Sequence, residues 1–224
     1  MDRAGLDHRE VQIFMGGINF NEVYVYKKYR WEISMNRSKL FCCSFLFCFF
    51  VVGVQAKGRP IANKSSYGTH MAPLITAVMN TDGPILEMGC GDFSTPLLHA
   101  ICAEKNRFLL SAETDEAWMN FFLDLERDWH QFCYVNSEED CDKVGADVHW
   151  SVVLIDHAPA ERRIVDIKRL RKNTDIFVVH DTEQRGYNYK KILPSFKYKF
   201  TYKRYSKTTT LVSDTVDVAA FFND

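Results

Sequence analysis

The sequence predicts an α/β fold: a doubly wound sheet of about seven strands, mostly parallel, that ends in a C-terminal antiparallel hairpin. Short apolar segments alternate with amphipathic helical segments after residue 67, which is typical of a parallel sheet covered by helices on both faces. The first strand runs into a glycine turn, Gly89-Cys90-Gly91, that opens a helix. The short connection Tyr205–Lys207 joins the last two strands, so they must pair antiparallel.

Length, composition and charge narrow the functional classes. The chain has 224 residues, which suffice for one packed domain and are few for two. A hydrophobic fraction of 46% and a net charge of −1 exclude a disordered acidic chain and provide no bulk basic surface for nucleic acid. The sequence therefore predicts a small-molecule or protein partner and no nucleic acid.

The N-terminal part of the chain has the layout of a targeting segment. Residues 1–34 lack a clear helical or strand period and are interpreted as an N-terminal extension. Residues 35–56 join a basic patch to an apolar run and to a small-residue cleavage site that ends at Ala56, as in a secretory signal peptide. If this segment is not cleaved, residues 40–56 form a short signal anchor and the only membrane contact.

The signal-like segment over residues 35–56 predicts that the protein is exported. Residues 57–66 are polar and are interpreted as a linker, with an N-glycosylation sequon at Asn63-Lys64-Ser65. The globular domain is expected over residues 67–224. We therefore expect a protein of the secretory pathway, secreted or membrane-anchored, whose domain lies in the lumen or outside the cell.

The first half of the domain predicts strands that alternate with helices. The expected elements are a helix over 67–79, a strand over 85–88, a helix that opens near Pro96, a strand over 107–113 and a helix over 116–129. Ser94 or Thr95 is expected to cap the second helix. Asp115 is expected to cap the third helix, whose apolar stripe faces the core. The stripe consists of Trp118, Phe121, Phe122, Leu125 and Trp129.

The second half continues the alternation and closes the sheet. The expected elements are a strand over 132–135, an acidic loop over 136–145, a strand over 148–156, a helix over 160–172, a strand over 175–181, a short helix over 187–193 and strands over 197–203 and 208–212. The helix over 160–172 has a basic face, which we expect to be solvated. This face carries Arg162, Arg163, Lys168, Arg169 and Arg171.

The four cysteines of the domain fall into two pairs by position. Cys133 and Cys141 flank a polar loop and are the better candidates for a disulfide in an exported domain. Cys90 lies in the glycine turn and Cys102 on the next helix, so both are expected to be buried apolar residues.

The glycine turn resembles the first motif of a known family. Glu87 precedes Gly89 and Gly91, and Ser94 stands where a dinucleotide-binding turn usually has its third glycine. The pattern E-x-G-x-G-x-x-[ST] resembles the first motif of the class I S-adenosylmethionine-dependent methyltransferases, which have a Rossmann-like fold. The antiparallel end strand is a mark of the same fold, and with Ser94 it disfavours an NAD-type oxidoreductase.

The resemblance implies S-adenosylmethionine as the cofactor. In this family the glycine turn lies against the amino-acid end of the cofactor, and an acid at the end of the second strand binds the ribose hydroxyls. Glu113 has that position here, with Asp115 as the alternative, and Asn136 or Ser137 is placed to meet the adenine edge. The expected cofactor-binding residues are Glu87, Gly89, Gly91, Glu113, Asn136 and Asp156.

The ends of the fourth and fifth strands resemble those of the metal-dependent, catechol-type O-methyltransferases. In those enzymes an Asp after the fourth strand and an Asp-Asn pair after the fifth hold Mg²⁺, and a lysine acts as the base. Asp156 and Asp181 fit this pattern, but Thr182 replaces the asparagine and Pro159 replaces the lysine. The resemblance therefore implies neither a complete Mg²⁺ site nor that base, and we assign no metal ligand.

Histidines at the same strand ends are the candidates for proton removal. Methyl transfer needs an aligned acceptor and a base, and imidazole titrates near neutral pH. His180 and His157 are the candidate bases, and Asp181 is a further candidate catalytic residue. Tyr67 and His70, ahead of the first helix, are candidates to close over the cofactor, and a packing role is the favoured alternative.

The sequence therefore predicts a methyltransferase that acts on an oxygen or nitrogen of a small molecule or protein. The alternative is a catalytically silent, exported relative that keeps the fold as a binding module. A lumenal location favours the alternative, because the methyl donor would have to be imported there. The intact Gly89, Gly91 and Glu113 favour the enzyme.

Overall fold

The computed structural model describes residues 68–223 and, near the N-terminus, two short strands that pair antiparallel, Phe14–Met15 and Ile18–Asn19. The predicted signal segment, linker and sequon lie outside the described residues, as does Tyr67. Within the described part of the chain, no helix is both long enough and apolar enough to span a bilayer.

A seven-stranded sheet forms the centre of the structure. Its strands are β1 (Ile85–Met88), β2 (Leu109–Glu113), β3 (His130–Tyr134), β4 (Trp150–Ile155), β5 (Thr174–Val179), β6 (Tyr198–Tyr202) and β7 (Thr209–Ser213). They lie in the order β3-β2-β1-β4-β5-β7-β6. Neighbours from β3 to β5 are parallel, and β7 pairs antiparallel with both β5 and β6. The predicted parallel sheet with a C-terminal antiparallel hairpin is confirmed.

Helices and 3₁₀ turns connect these strands. The α-helices of the described range are α1 (Met71–Met79), α2 (Thr95–Lys105), α3 (Glu116–Met119), α4 (Glu138–Lys143) and α5 (Arg163–Leu170). The 3₁₀ turns are Leu123–Leu125, Ala160–Arg162, Arg171–Asn173, Arg185–Tyr187, Tyr189–Lys191, Leu193–Ser195 and Ala220–Phe222. The short helix predicted over 187–193 is instead a series of 3₁₀ turns, interrupted where Asn188 adopts a left-handed conformation.

The central strands are buried on both faces, as continuous apolar runs predict. On β4, Val153 and Ile155 pack into one core with Trp150, while Val152 and Leu154 pack into the core on the opposite face. Full burial of a large aliphatic side chain contributes about 1.5–3 kcal/mol. These two cores therefore hold the ends of the strands in fixed positions.

The register of the sheet brings the predicted site residues to one edge. Met88 on β1 pairs with Ala112 on β2 and with Ile155 on β4, and Ile155 pairs with Val179 on β5. The residues that directly follow these positions are Gly89, Glu113, Asp156 and His180. They lie at or just beyond the carboxyl ends of parallel strands, which is where open α/β sheets bind ligands.

The helix predicted over 116–129 is wrong beyond Met119, where α3 ends. The chain must leave the helical path to pair with the sheet, because the Leu109 N–H donates to the Trp129 carbonyl. Tertiary pairing therefore overrides the local helical period. One member of the expected core stripe, Phe121, is left 59% exposed.

The loop predicted over 136–145 contains the short helix α4. The Ser137 hydroxyl accepts the backbone N–H of Asp140 at 3.1 Å and donates to its carboxylate at 2.7 Å, which caps the helix. Acidic residues in the first turn also interact favourably with the helix dipole. The spacing Ser-x-x-Asp indicates this helix, but the acidic composition of the segment favoured the prediction of a loop.

The prediction of a solvated basic face on residues 160–172 is wrong for its first two arginines. Arg162 and Arg163 are buried, and Asp166 of α5 is fully buried. Arg162 Nε lies 3.1 Å from Asp166 Oδ2, and its guanidinium also pairs with Asp142 on α4. The sequence pattern alone does not show which helix will lie beside this face, and the packing of α4 against α5 supplies that partner.

The predicted disulfide between Cys133 and Cys141 is wrong. All four cysteines of the described domain are free thiols. Burial raises the pKa of the Cys133 thiol to about 11, so this thiol is protonated at neutral pH. Cys90 and Cys102 are buried, as expected.

Arg107 joins the end of α1 to the start of β2 although it is buried. Its Nε donates to the Gly83 carbonyl at 2.6 Å, and its Nη1 donates to the carbonyls of Val78 and Thr81 at 2.6 and 3.0 Å. Its Nη2 donates to Ser151 Oγ at 2.7 Å. Each guanidinium nitrogen therefore has a partner, which is the usual condition for burying this group.

We expect Arg107→Ala to lower the free energy of unfolding of the full-length chain by about 3 kcal/mol, because buried carbonyls lose their donor. Arg204→Ala is the matched control, since Arg204 is exposed between β6 and β7, and we expect it to change stability by less than about 0.5 kcal/mol. Urea denaturation followed by circular dichroism measures both variants. Equal effects would contradict the role given to Arg107.

Candidate active site

The glycine turn after β1 lies directly against the end of β4. Gly89 has a φ of +97°, a conformation that side chains of L-residues rarely adopt. A Cβ at this position would lie 2.7 Å from the backbone nitrogen of His157 and 2.8 Å from the carbonyl carbon and oxygen of Asp156. Both the backbone conformation and the close approach of β4 therefore require glycine.

The Glu113 carboxylate faces this turn from the end of β2. Its Oε2 accepts the Cys90 N–H at 2.9 Å, and its Oε1 accepts the N–H groups of Thr114 and Asp115 at 2.7 and 2.9 Å. The side chain is buried. A carboxylate oxygen accepts about two donors, so Oε2 has capacity for a ligand hydroxyl beside the Cys90 N–H.

Trp118 on α3 binds the next peptide group of the turn, on the other side of Cys90. Its Nε1 donates to the Cys90 carbonyl at 2.8 Å. Asp115 caps α3, as expected, by accepting the Trp118 backbone N–H at 3.0 Å. The sequence placed Trp118 in a core stripe and gave no sign of this hydrogen bond, because its partner lies in a distant element.

Glu87 lies beneath the turn and is fully buried. Thr95 Oγ1 donates to its carboxylate at 3.0 Å and accepts the Gly91 N–H at 2.9 Å, so Thr95 links the acid to the turn. Ser111 Oγ donates to Oε2 at 2.5 Å. Burial raises the pKa of Glu87 from 4.5 to about 7, although these hydrogen bonds lower it. Ser94 stands at the N-cap of α2 but its side chain makes no capping hydrogen bond, and the Thr95 hydroxyl binds Gly91 and Glu87, so the expected side-chain cap is not formed.

Asp156 and His180, at the ends of β4 and β5, form a pair at the same edge. His180 Nδ1 lies 3.0 Å from Asp156 Oδ2, and its Nε2 lies 3.0 Å from Thr69 Oγ1. Arg163 Nη2 lies 3.1 Å from Asp156 Oδ1. Burial raises the pKa of Asp156, but its hydrogen bond with His180 and the charge of the Arg163 guanidinium hold that pKa below its ordinary value.

His70 joins this pair from the turn before α1. Its Nδ1 lies 4.0 Å from Asp156 Oδ2, and its ring centroid lies 4.7 Å from that of His180. His70 and His180 are each 3% exposed. The sequence placed His70 near the cofactor, but the contact with Asp156 and His180 depends on how α1 packs on β4 and β5, for which no local signal exists.

The other predicted site residues differ in their position relative to this pair, and Asp181 lies beside it, with its Oδ1 3.8 Å from His180 Nε2. His157 is buried, and its Nε2 lies 3.0 Å from Asp166 Oδ2, so its ring is directed towards α5. Asp181 Oδ1 lies 3.0 Å from Lys207 Nζ. Asn136 is exposed just after β3. The structure therefore brings His180 to the edge next to the glycine turn and does not bring the His157 ring there.

Comparisons with known proteins bear on the fold. No protein-family model and no curated protein matches the chain. A solved structure from Klebsiella pneumoniae, provisionally assigned as an O-methyltransferase, is similar over 70% of this chain and 83% of its own, with a TM-score of 0.51 and 14% identity. The fold is that of the class I S-adenosylmethionine-dependent methyltransferases. At this identity the likeness concerns the methyltransferase fold alone.

Two more distant methyltransferase structures are also similar. One, from Staphylococcus aureus and provisionally assigned as a caffeoyl-CoA O-methyltransferase, has 15% identity and a TM-score of 0.49, and the match covers 69% of this chain and 85% of that one. The other is TrmK of M. capricolum in complex with S-adenosylhomocysteine, with 8% identity, a TM-score of 0.45, and coverage of 64% and 67%. At these scores we draw no argument from them.

Because the pKa of Glu87 is raised to about 7 in the folded chain, its ionisation opposes folding. Stability falls as pH rises from the ordinary carboxyl value towards 7, and the loss is complete above 7. We expect Glu87→Gln, which removes the charge, to gain about 2–3 kcal/mol relative to the natural chain between pH 5 and pH 8.5. Urea denaturation at both pH values measures this difference.

Glu116→Gln is the control, because Glu116 is exposed on α3. We expect this variant to follow the natural chain at both pH values. A Glu87→Gln variant whose stability also parallels the natural chain would show that the Glu87 carboxyl is not held neutral by burial.

Proposed function

We propose that the chain binds S-adenosylmethionine at the glycine turn and transfers its methyl group to an oxygen or nitrogen of a small-molecule or protein acceptor. The observation that carries this proposal is the position of the Glu113 carboxylate, whose Oε2 contacts the Cys90 N–H within the turn. A ligand that follows the turn would therefore meet this carboxylate. The methyltransferase fold supports the same cofactor.

The residues around the turn suit the parts of S-adenosylmethionine. We assign the ribose hydroxyls to Glu113, because ionised oxygens accept hydroxyl donors strongly. We assign the amino-acid end to the backbone of Gly89 and Gly91, and the adenine edge to Asn136. The Glu113 carboxylate would also add negative charge near the positively charged sulfonium, which favours its binding over that of a neutral nucleoside.

The acceptor is assigned to the edge formed by β4 and β5. The sulfonium is already an activated donor, so the protein has to align the acceptor and take up its proton. We assign the proton to the pair of Asp156 and His180, because Asp156 fixes the orientation of the imidazole through Nδ1. Asp181 Oδ1 pairs with Lys207 and lies 3.8 Å from His180 Nε2. We therefore assign Asp181 a supporting role beside His180.

Among the residues that the structure describes, no contact favours the alternative of a silent binding module. The buried hydrogen bonds of Glu87 and Glu113 hold the glycine turn in one conformation. A fold that served only as a scaffold would not need the Glu113 carboxylate beside this turn. An NAD-type oxidoreductase is disfavoured by the antiparallel pairing of β7 with β5 and β6. We therefore propose methyltransferase activity over both the binding module and the oxidoreductase.

We expect Glu113→Gln to weaken the binding of S-adenosylmethionine by at least about tenfold, because a charge-assisted hydrogen bond contributes about 1.5–3 kcal/mol. Isothermal titration calorimetry of the full-length chain measures this effect. Glu116→Gln is the matched control, since Glu116 is exposed on α3, and its affinity is expected to equal that of the natural chain. If the folded natural chain does not bind the cofactor, the proposed function is refuted.

Export also stays a proposal, based on residues 35–56. We expect N-terminal sequencing of secreted protein to begin at Lys57, because small residues precede that peptide bond. Protein that keeps Met1 and stays in the cytosol would contradict export without affecting the assignment of the cofactor.

A further inference from the structure

Three side chains beyond the carboxyl ends of β4 and β5 have the arrangement of a metal site. His70, Asp156 and His180, called here the His70–Asp156–His180 cluster, each offer one ligand atom, and these atoms lie within 4.8 Å of one another. His180 Nδ1 and His70 Nδ1 lie 3.0 and 4.0 Å from the same oxygen, Asp156 Oδ2. We propose that this cluster binds one divalent transition-metal ion of the Zn²⁺ or Fe²⁺ type.

The donor atoms select the class of ion. Two imidazole nitrogens and one carboxylate oxygen are the ligands of zinc and of non-haem Fe²⁺ sites. Mg²⁺ prefers an oxygen octahedron, and the cluster has a single carboxylate. Arg163, 3.1 Å from Asp156 Oδ1, also opposes an ion held by charge alone. The cluster therefore favours an ion that bonds strongly to nitrogen.

The spacing of the ligand atoms fits such an ion. Zinc–nitrogen and zinc–oxygen bonds of about 2.0–2.1 Å place tetrahedral ligand atoms about 3.3 Å apart. The observed separations of 3.0 and 4.0 Å from Asp156 Oδ2 bracket that value, so small side-chain rotations close the site. Three protein ligands leave a fourth position open, as in catalytic rather than structural zinc sites.

The groups around the cluster are those of a metal site. Metal-bound histidines usually donate their other ring N–H to an oxygen, which fixes the tautomer, and His180 Nε2 lies 3.0 Å from Thr69 Oγ1. When Nε2 donates to Thr69, the Nδ1 lone pair faces Asp156 Oδ2 at 3.0 Å. Two lone pairs at that distance repel each other unless a proton or a cation lies between them. A divalent ion replaces that proton.

The position of the cluster links it to the chemistry. The open ligand position lies at the edge that the proposed function gives to the acceptor, and a bound cation lowers the pKa of an oxygen that it polarises. This catalytic role rests on the proposed function, whereas binding of the metal does not. Under this inference His180 serves as a ligand instead of the base, and an acceptor oxygen polarised by the cation would release its proton to water.

The test is titration of the chelator-stripped, full-length chain with Co²⁺, followed by visible absorption. We expect one tight site per chain with d–d bands and no thiolate-to-cobalt charge transfer. We expect His70→Ala and His180→Ala to weaken binding by more than about 100-fold, since even changes behind the ligands cost about 10–100-fold. His149→Ala is the matched control, because His149 is exposed and lies outside the cluster, and its affinity is expected to be unchanged.

Each other outcome overturns the inference. Absence of Co²⁺ binding by the natural chain refutes it without any variant. Binding that persists in His70→Ala and His180→Ala, or that shows thiolate charge transfer, places the metal on other residues. If an alanine variant does not fold by circular dichroism, the isosteric Asp156→Asn takes its place. Calorimetry with S-adenosylmethionine separates the two proposals, because failure to bind the cofactor refutes the function while the Co²⁺ result stands by itself.

Discussion

The candidate site depends on the hydrogen bonds that fix the backbone of one residue, Cys90. Its N–H is bound by Glu113 from β2, and its carbonyl accepts the indole N–H of Trp118 from α3. The preceding Gly89 is required by its positive φ and by the approach of β4. Because the backbone N–H and carbonyl of Cys90 are both hydrogen-bonded, the two successive peptide groups of the turn have a defined orientation before any ligand binds, and less conformational entropy is lost on binding.

The residues beneath the glycine turn stabilise this arrangement. Glu87, buried under the turn, is held by hydroxyls of Thr95 and Ser111, and the two apolar cores fix the strands from which these residues project. A buried carboxyl is costly when charged, and its raised pKa is the measure of that cost. The Glu87 carboxyl, whose pKa is raised to about 7, therefore lies directly beneath the turn that we expect to contact the cofactor.

The fold was predictable from sequence because apolar runs of four to six residues that alternate with helices specify a parallel sheet. Local predictions failed where a tertiary partner decided the outcome. The chain after Met119 leaves the helix to pair with β2, and Arg162 is buried because Asp142 and Asp166 lie beside it. The site residues at the strand ends were predictable too, because the apolar runs also show where each strand ends. The contacts of Thr69, Arg163 and Trp118 were not predictable, because they depend on packing between distant elements. For His70 the sequence indicated a place near the cofactor but not its contact with Asp156 and His180.

The most direct test is a crystal structure of the full-length chain grown with S-adenosylhomocysteine. The account predicts that the ribose hydroxyls lie within hydrogen-bond distance of the Glu113 carboxylate and that the amino-acid end lies along Gly89 to Gly91. A nucleoside bound elsewhere, or a Glu113 carboxylate that makes no contact with the ligand, would contradict it.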